Sequence, residues 1–383
     1  MDTRDSSVTF LEFVPAIVRV VWSPDGKYIA CGAVNGSVYL FGPEIDVPLA
    51  VWKPEGLIGF GNLSFSPDSR FLKVVSSLAI GIWDLVTHER VFSYENANED
   101  GEVIQEPSEP IENTDWSTHT WSPHGEYFAV FRCDPEHDQF SKDTTYEPVI
   151  YVQQNNRRLW NLGLIHIFAT QTHQVYRTLA LMDNSRPGIY CLSWSPDAEM
   201  LAIGHYQRVH LWQPRTNQVL ATYESRIYNG PKHRWGWGTD DVFSDMLDLY
   251  WSPDSAFLAC VGYIGIEIWE VASGKKLTTY YGHNSGIMDV KWVMDKAAIV
   301  SVDREDIHFW HFQDGSLIEK VSIPPVNGVG TYVLFNAALS PDLLSLACVG
   351  YEVEESSRNA KKGLAWIWQP HINGIETEHG YLI

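Results

Sequence analysis

The chemistry available to this 383-residue chain rests on scattered imidazoles, paired acids and an indole-rich segment. His166, His210 and His308 are the set that suggests a zinc triad, because neutral imidazole nitrogens suit that ion. Each stands two residues before an aromatic that closes a β-rich run: Phe168, Trp212 and Trp310. They therefore occupy equivalent places in separate repeats and are expected to pack within them, spread apart. No metal or cofactor is expected. Asp240 and Asp241 follow His233 in one loop, but adjacent carboxylates alone do not make acid–base catalysis. The sequence holds no HExxH, no Gly-x-Ser-x-Gly and no glycine-rich phosphate loop leading into a helix. No catalytic residue is assigned, and the chain reads as a non-enzyme.

The segment Ile227 to Phe243 gathers Tyr228, His233, Arg234, Trp235, Trp237, Asp240 and Asp241 around three glycines. Trp, Tyr and Arg are enriched at binding hot spots, and glycine lets a partner's backbone come close. Arg157, Arg158 and Trp160 form a second such group, and Trp116 stands alone in a third segment. All are candidate partner-binding residues. The competing reading has the Trp pair folded down as packing.

These side chains must be positioned by something regular, and a repeated phrase supplies it. An apolar pair ending in an aromatic is followed by Ser-Pro-Asp and a β-rich stretch. It runs VVWSPDGKYIACG, LSFSPDSRFLKVV, HTWSPHGEYFAVF, LSWSPDAEMLAIG and LYWSPDSAFLACVG, then two worn copies, VKWVMDKAAIVSV and AALSPDLLSLACVG. The anchors Trp22, Phe65, Trp121, Trp194, Trp251, Trp292 and Leu339 are 43, 56, 73, 57, 41 and 47 residues apart. The shortest spacings match one four-stranded propeller blade, and the longer ones a blade plus an insertion. Strand a precedes Ser-Pro, a tight turn follows, strand b alternates, strand c ends in an aromatic, and strand d completes the unit. The expected fold is all-β: one seven-bladed β-propeller of four-stranded antiparallel blades spanning residues 1–383.

The sequence resembles the WD-repeat family along nearly its whole length. That family ends strand c with Trp-Asp, kept here at Trp83-Asp84, and places Gly-His before strand a, kept at Gly282-His283. The resemblance implies a structural hydrogen-bond set in the sixth unit: His283, Ser301, Asp303 and Trp310. It also implies closure of the ring by an outer strand from Val8 to Phe13 in the last blade, with Ile375 to Ile383 competing for that edge. Ser-Pro-Asp turns occur as well in TolB-like propellers, which are exported envelope proteins. The lack of a basic segment followed by an apolar run near Met1, and the aromatic ends of strand c, argue against that family.

In a meander, a–b and c–d turns share one face of the disc; b–c turns and d-to-a links share the other. The four long insertions, near residues 94–117, 133–163, 226–246 and 351–363, all belong to the second face. Long loops on a rigid scaffold concentrate function. The first carries Glu95, Glu99, Asp100, Glu102, Glu106, Glu109, Glu112 and Asp115 with no Lys or Arg. The expectation is a protein- or peptide-binding scaffold that uses this face and favours a basic segment in its partner. The alternative is a small-ligand-binding or hydrolytic propeller with its site at the channel mouth near Trp235 and Trp237.

Acids outnumber bases 48 to 27, for a net charge of −21, which disfavours nucleic acid and anionic membrane as partners. No run of 18 apolar residues is present, as a membrane helix would need. Five cysteines are scattered without a CxxC pair, and three recur at one β position, so they read as small buried hydrophobes in a reducing, cytoplasmic compartment.

Overall fold

The computed structural model describes residues 9–13, 17–42, 47–53, 62–75, 79–95, 119–132, 150–151, 160–172, 175–183, 189, 191–205, 208–225, 227, 248–324, 332–353 and 360–369. They form seven separate sheets arranged as the blades of a β-propeller. Blade 1 holds Ile17–Trp22, Ile29–Ala33, Val38–Phe41 and Ala50–Trp52. Blade 2 holds Asn62–Phe65, Phe71–Val75, Ala79–Asp84 and Arg90–Glu95. Blade 3 holds His119–Trp121, Tyr127–Arg132, Trp160–Ala169 and Val175–Asp183. Blade 4 is Cys191–Trp194, Leu201–His205, Arg208–Gln213 and Gln218–Glu224. Blade 5 is Asp248–Trp251, Phe257–Val261, Ile266–Glu270 and Lys275–Tyr280. Blade 6 is Asp289–Val293, Ala298–Val302, Asp306–His311 and Leu317–Ser322, with one 3-10 turn at Met294–Lys296. Blade 7 is Tyr332–Leu339, Leu346–Val353 and Ala360–Trp368, with Thr9–Phe13 as its outermost strand.

The turn between strands a and b shows why Ser-Pro-Asp recurs. Ser23 Oγ donates to Asp25 Oδ1 at 2.7 Å and accepts the Tyr28 N–H at 2.8 Å, while Asp25 Oδ1 also accepts the Lys27 N–H at 3.1 Å. The same pairs form at Ser66–Asp68, Ser195–Asp197 and Ser252–Asp254. The turn closes with a backbone bond from the Gly26 N–H to the Ser23 carbonyl at 2.9 Å, and the side chains satisfy N–H groups that this bond leaves over. The position after Asp is left-handed in each: Gly26, Ser69, Ala198 and Ser255 have φ between 57° and 71°.

Strand b is buried on both faces because a blade packs against a neighbour on either side. Clusters of buried apolar side chains fill the junctions. Ile17, Val20, Cys31 and Phe41 of blade 1 meet Ala347, Val349 and Ala365 of blade 7, which seals the ring where chain ends approach. Four of the five cysteines (Cys31, Cys191, Cys260 and Cys348) are buried and unbridged. Burial pushes the Cys31 thiol up to about 12, so it behaves as an apolar filler.

Two blades depart from the simple meander. In blade 3, strand b pairs with strand c only from Leu164 to Ala169, yet strands c and d continue pairing out to Trp160 and Asp183. Ile150–Tyr151 adds a parallel fifth strand against Leu181 and Met182, at that free end. In blade 7 the ladder runs on through Tyr351–Gly363 and Glu352–Lys362 to Val353–Ala360. Part of the insertion expected near 351–363 is therefore strand. Both extensions rise on the face of the b–c turns and d-to-a links. At about 3.3 Å per residue, the four-residue overhang Trp160–Gly163 reaches roughly 13 Å past strand b.

Candidate functional site at the central channel

Residues from the first strand of six blades line a cavity of about 890 Å³. Pro24 and Pro341 of the short turns stand at one end, and Tyr263 and Arg304 of b–c turns at the other. A polar ring lies near the second end, three residues before most of the anchors: Arg19, Asn62, Asp248, Asp289 and Asn336. Arg19 Nε donates to Asn62 Oδ1 at 3.1 Å across the junction of blades 1 and 2. Asn336 Oδ1 accepts the Val20 N–H at 3.0 Å, and Asp289 Oδ2 accepts the Leu339 N–H at 2.8 Å. These side chains stitch blade to blade, so the ring is first of all structural.

The ring is electrostatically lopsided. Blades 5 and 6 supply Asp248 and Asp289. Burial raises the Asp248 carboxyl above its ordinary value, against the opposing pull of the Leu249 N–H and of Arg19. Lys291 Nζ stands 3.7 Å from Asp289. Blades 1 to 3 supply Arg19, His119 and, behind the wall, Lys73. Strand b carries at one register position Ala30, Lys73, Ala129, Ala202, Ala259, Val300 and Ala347, each opposite the residue before an anchor. Lysine takes the place of a small apolar residue in blade 2 alone.

Lys73 is fully buried, and its Nζ has no hydrogen-bond partner among the described residues. It lies over the Trp121 ring at 4.8 Å and the Phe128 ring at 5.3 Å. Such contacts give about 0.5–2 kcal/mol, against several for burying an ammonium. Burial accordingly holds the amine well below its ordinary value. His119 lines the channel two residues before Trp121; both its ring nitrogens are shielded from solvent and have no partner among the described residues. Burial, then the charges of Lys73 and Arg19, keep its imidazole far below the usual range. Sequence reading passed over Lys73 and His119. The signal for Lys73 was present: aligned on their anchors, the seven phrases set one lysine in a column of alanine and valine.

Trp116, Arg157, Arg158, Tyr228, His233, Arg234, Trp235, Trp237, Asp240 and Asp241 lie outside the described residues. Trp160 begins strand c of blade 3 opposite Asp183, on the overhang; its side chain is outside the description too. His210 Nδ1 meets Thr222 Oγ1 at 3.0 Å within blade 4, and His308 Nδ1 meets the Tyr280 hydroxyl at 2.7 Å across the junction of blades 5 and 6. No group of three metal-ligating side chains exists among the described residues.

In blade 6, His283 Nε2 is 2.7 Å from Ser301 Oγ, which also accepts the Trp310 indole N–H at 3.0 Å. His283 Nδ1 is 3.0 Å from Asp303 Oδ2. Asp303 further accepts the N–H groups of Glu305 and Asp306. The four side chains tie the d-to-a link, strand b and strand c into one buried network.

Residues 9–41 and 177–213 match the family model described as WD domain, G-beta repeat. The first match begins in the outer strand of blade 7 and ends in strand c of blade 1. The second begins in strand d of blade 3 and ends in blade 4, so each sequence repeat straddles two blades. Protein HIR1 of Eremothecium gossypii is 27% identical over 204 residues, 48% of this chain and 24% of that protein. The chain thus spans about a quarter of the length of that curated relative. A chain in the crystal structure of a mitotic checkpoint complex shares the fold, with a TM-score of 0.61 at 16% identity over 95% of this chain and 91% of that one. With the repeat matched in two places and the same strand grammar in all seven blades, the chain is similar to WD-repeat proteins and folds as a seven-bladed β-propeller.

Proposed function

We propose that the chain is a non-catalytic scaffold that binds a protein or peptide on its insertion-bearing face. Propellers of this repeat type generally mediate protein interactions. The observation that carries the choice of face is the pair of β-extensions on blades 3 and 7, both raised on the side of the long connections. Regular strand on that side supplies rigid walls from which loops can present hot-spot residues with little ordering cost. Trp116, Arg157, Arg158, Trp160 and the Tyr228-to-Asp241 group are the proposed contacts. The eight acids between Glu95 and Asp115, within a chain of net charge −21, favour a partner segment rich in Lys or Arg.

Site-specific photo-crosslinking tests the assignment. A crosslinker placed on the blade 3 overhang is expected to capture a defined partner, and one at the Pro24 or Pro341 turns is not. Trp235→Ala with Trp237→Ala should abolish the capture. Equal capture from both faces, or a partner indifferent to the double substitution, removes the face from the proposal.

A further inference from the structure

We propose that the channel wall where blades 2 and 3 meet is an oxyanion site, in which Arg19, Lys73 and His119 take the phosphate or carboxylate group of a small free ligand.

Geometry brings the three together. Lys73 pairs directly with Ser64 in blade 2, so both side chains point at blade 3. Ser64 Oγ accepts the Trp121 indole N–H at 3.1 Å, and Lys73 Nζ lies over that same ring. His119 is two residues before Trp121 on one strand, hence on the same face. Arg19 approaches from blade 1, held by its bond to Asn62. Two side chains that can carry positive charge, Arg19 and His119, thus line one sector of the cavity wall, and a third, Lys73, lies directly behind it over the Trp121 ring. Two of the three, Lys73 and His119, have no hydrogen-bonding partner among the described residues.

A buried lysine in a column otherwise reserved for alanine and valine is costly without a counter-charge. Among the described residues no carboxylate is paired with it: the acids that line the channel, Asp248 and Asp289, belong to blades 5 and 6. Asp289 also has Lys291 near it and bonds the Leu339 N–H. An oxyanion entering the channel would supply what the sector lacks. The Ser64 hydroxyl lines the same wall as a further polar group. With roughly 890 Å³ of channel, the ligand bearing that group can be larger than a lone ion.

Binding should carry protons with it. Burial holds Lys73 toward its neutral form, burial and the charges of Lys73 and Arg19 do the same for His119, and an anion beside them reverses that balance. Other charged or titratable groups facing the lumen are Asp248, Tyr250, Tyr263, Asp289, Lys291 and Arg304.

Sulfate is a suitable probe, because its charge is constant across the pH range of interest. Thermal stability and calorimetric binding of the full chain would be measured against sulfate, with ionic strength matched by chloride. The expected result is saturable binding that tightens about tenfold or more from pH 8 to pH 6, with proton uptake seen as a heat that depends on the buffer. Lys73→Met should fold and weaken binding at least tenfold. His119→Gln, which leaves the interior lysine in place, should flatten the pH dependence and gives an independent reading if the first variant fails to fold. Absence of saturable binding, or equal sulfate responses in wild type and both variants, would overturn the site.

Discussion

Trp22 and Ala338, 316 residues apart, are joined by a 3.0 Å hydrogen bond from the indole N–H to the backbone carbonyl. The bond crosses the seam between blades 1 and 7, and it is one instance of a rule. Trp251 donates to the Ser193 carbonyl at 3.0 Å and Trp292 to the Tyr250 carbonyl at 3.2 Å. Trp121 reaches both the carbonyl and the hydroxyl of Ser64. Each anchor indole therefore bonds the residue before the anchor of the preceding blade. Tryptophan at this position does more than fill volume: it ties neighbouring inner strands together.

The rule has a telling exception. Trp194 is buried, and its N–H has no partner among the described residues. Trp22→Phe and Trp194→Phe delete the same ring volume, so their difference isolates the hydrogen bond. Trp22→Phe should cost about 1–2 kcal/mol more than Trp194→Phe, read from urea midpoints at constant slope. Equal costs would show that the indole bond contributes nothing across the seam.

Ser301 Oγ serves two buried groups at once: it accepts the Trp310 N–H and hydrogen-bonds His283 Nε2 at 2.7 Å. Ser301→Ala leaves both without that hydrogen-bond partner and adds no space for a substitute. The expected loss is about 2–6 kcal/mol, from roughly 1–3 for each stranded group. Ser301→Thr keeps the oxygen and should recover part of that loss in the same denaturation assay. If Ser301→Ala costs under about 1 kcal/mol, the network is not a stabilising unit.

The αL turn positions allow a simple gain. Ala198 sits at φ 60°, where a Cβ costs roughly 1–2 kcal/mol. Ala198→Gly removes that strain but frees the unfolded chain. A net stabilisation of up to about 1 kcal/mol is expected, measurable as a rise of about 1 °C in melting temperature. A lower melting temperature would mean that the turn carries no strain.

The fold was legible because its repeat is carried by turn chemistry. Ser-Pro-Asp marks where strand a ends and strand b begins, and the aromatic after it marks strand c. The blade 6 network was legible for a related reason: one unit retained both Gly282-His283 and a terminal Trp310. Blade 5 shows what was not. There Trp269 donates to Glu267, itself paired with Lys276 at 2.9 Å, so a buried carboxylate substitutes for the serine and no motif announces it. The overhang of blade 3 was hidden likewise, since strand length within an insertion depends on pairing partners rather than on local residue type. Lys73 was visible as a letter, but its cost is apparent only once strand b is known to be buried on both faces.

Blade 6 also sets the acid response. Burial, then the charge of His283, lower His308 to about 4, from an ordinary 6.5. The unfolded chain therefore binds a proton that the folded one refuses between those values. This contribution is present above pH 6.5 and is lost as pH falls toward 4, on the order of 2–3 kcal/mol. Asp303 acts lower down. Burial alone would raise it, but the bond from His283 and the N–H groups of Glu305 and Asp306 hold it at about 2 against 3.8. Its share is lost from pH 4 toward 2. His308→Gln should flatten stability between pH 6.5 and 4 while leaving the lower step. An unchanged slope in the upper window would assign it to other groups.

Lys73 gives the opposite end of the pH scale. Its amine is held well below 10.5 by burial, whereas the unfolded chain keeps it protonated until that pH. The unfolded chain therefore holds a proton at this amine more firmly than the folded one does, and the penalty this sets on folding fades as pH approaches 10.5. Lys73→Met has similar length, no charge and rings of Trp121 and Phe128 to pack on. In the absence of oxyanions it should be more stable than wild type at pH 7 by about 1–3 kcal/mol. The two proteins should converge as pH rises, because only wild type recovers. Tyrosine and cysteine ionisation affects both alike and cancels in the comparison. A variant less stable than wild type at pH 7 would mean that the ammonium is already stabilised in the fold, and that the basic sector holds its own counter-charge.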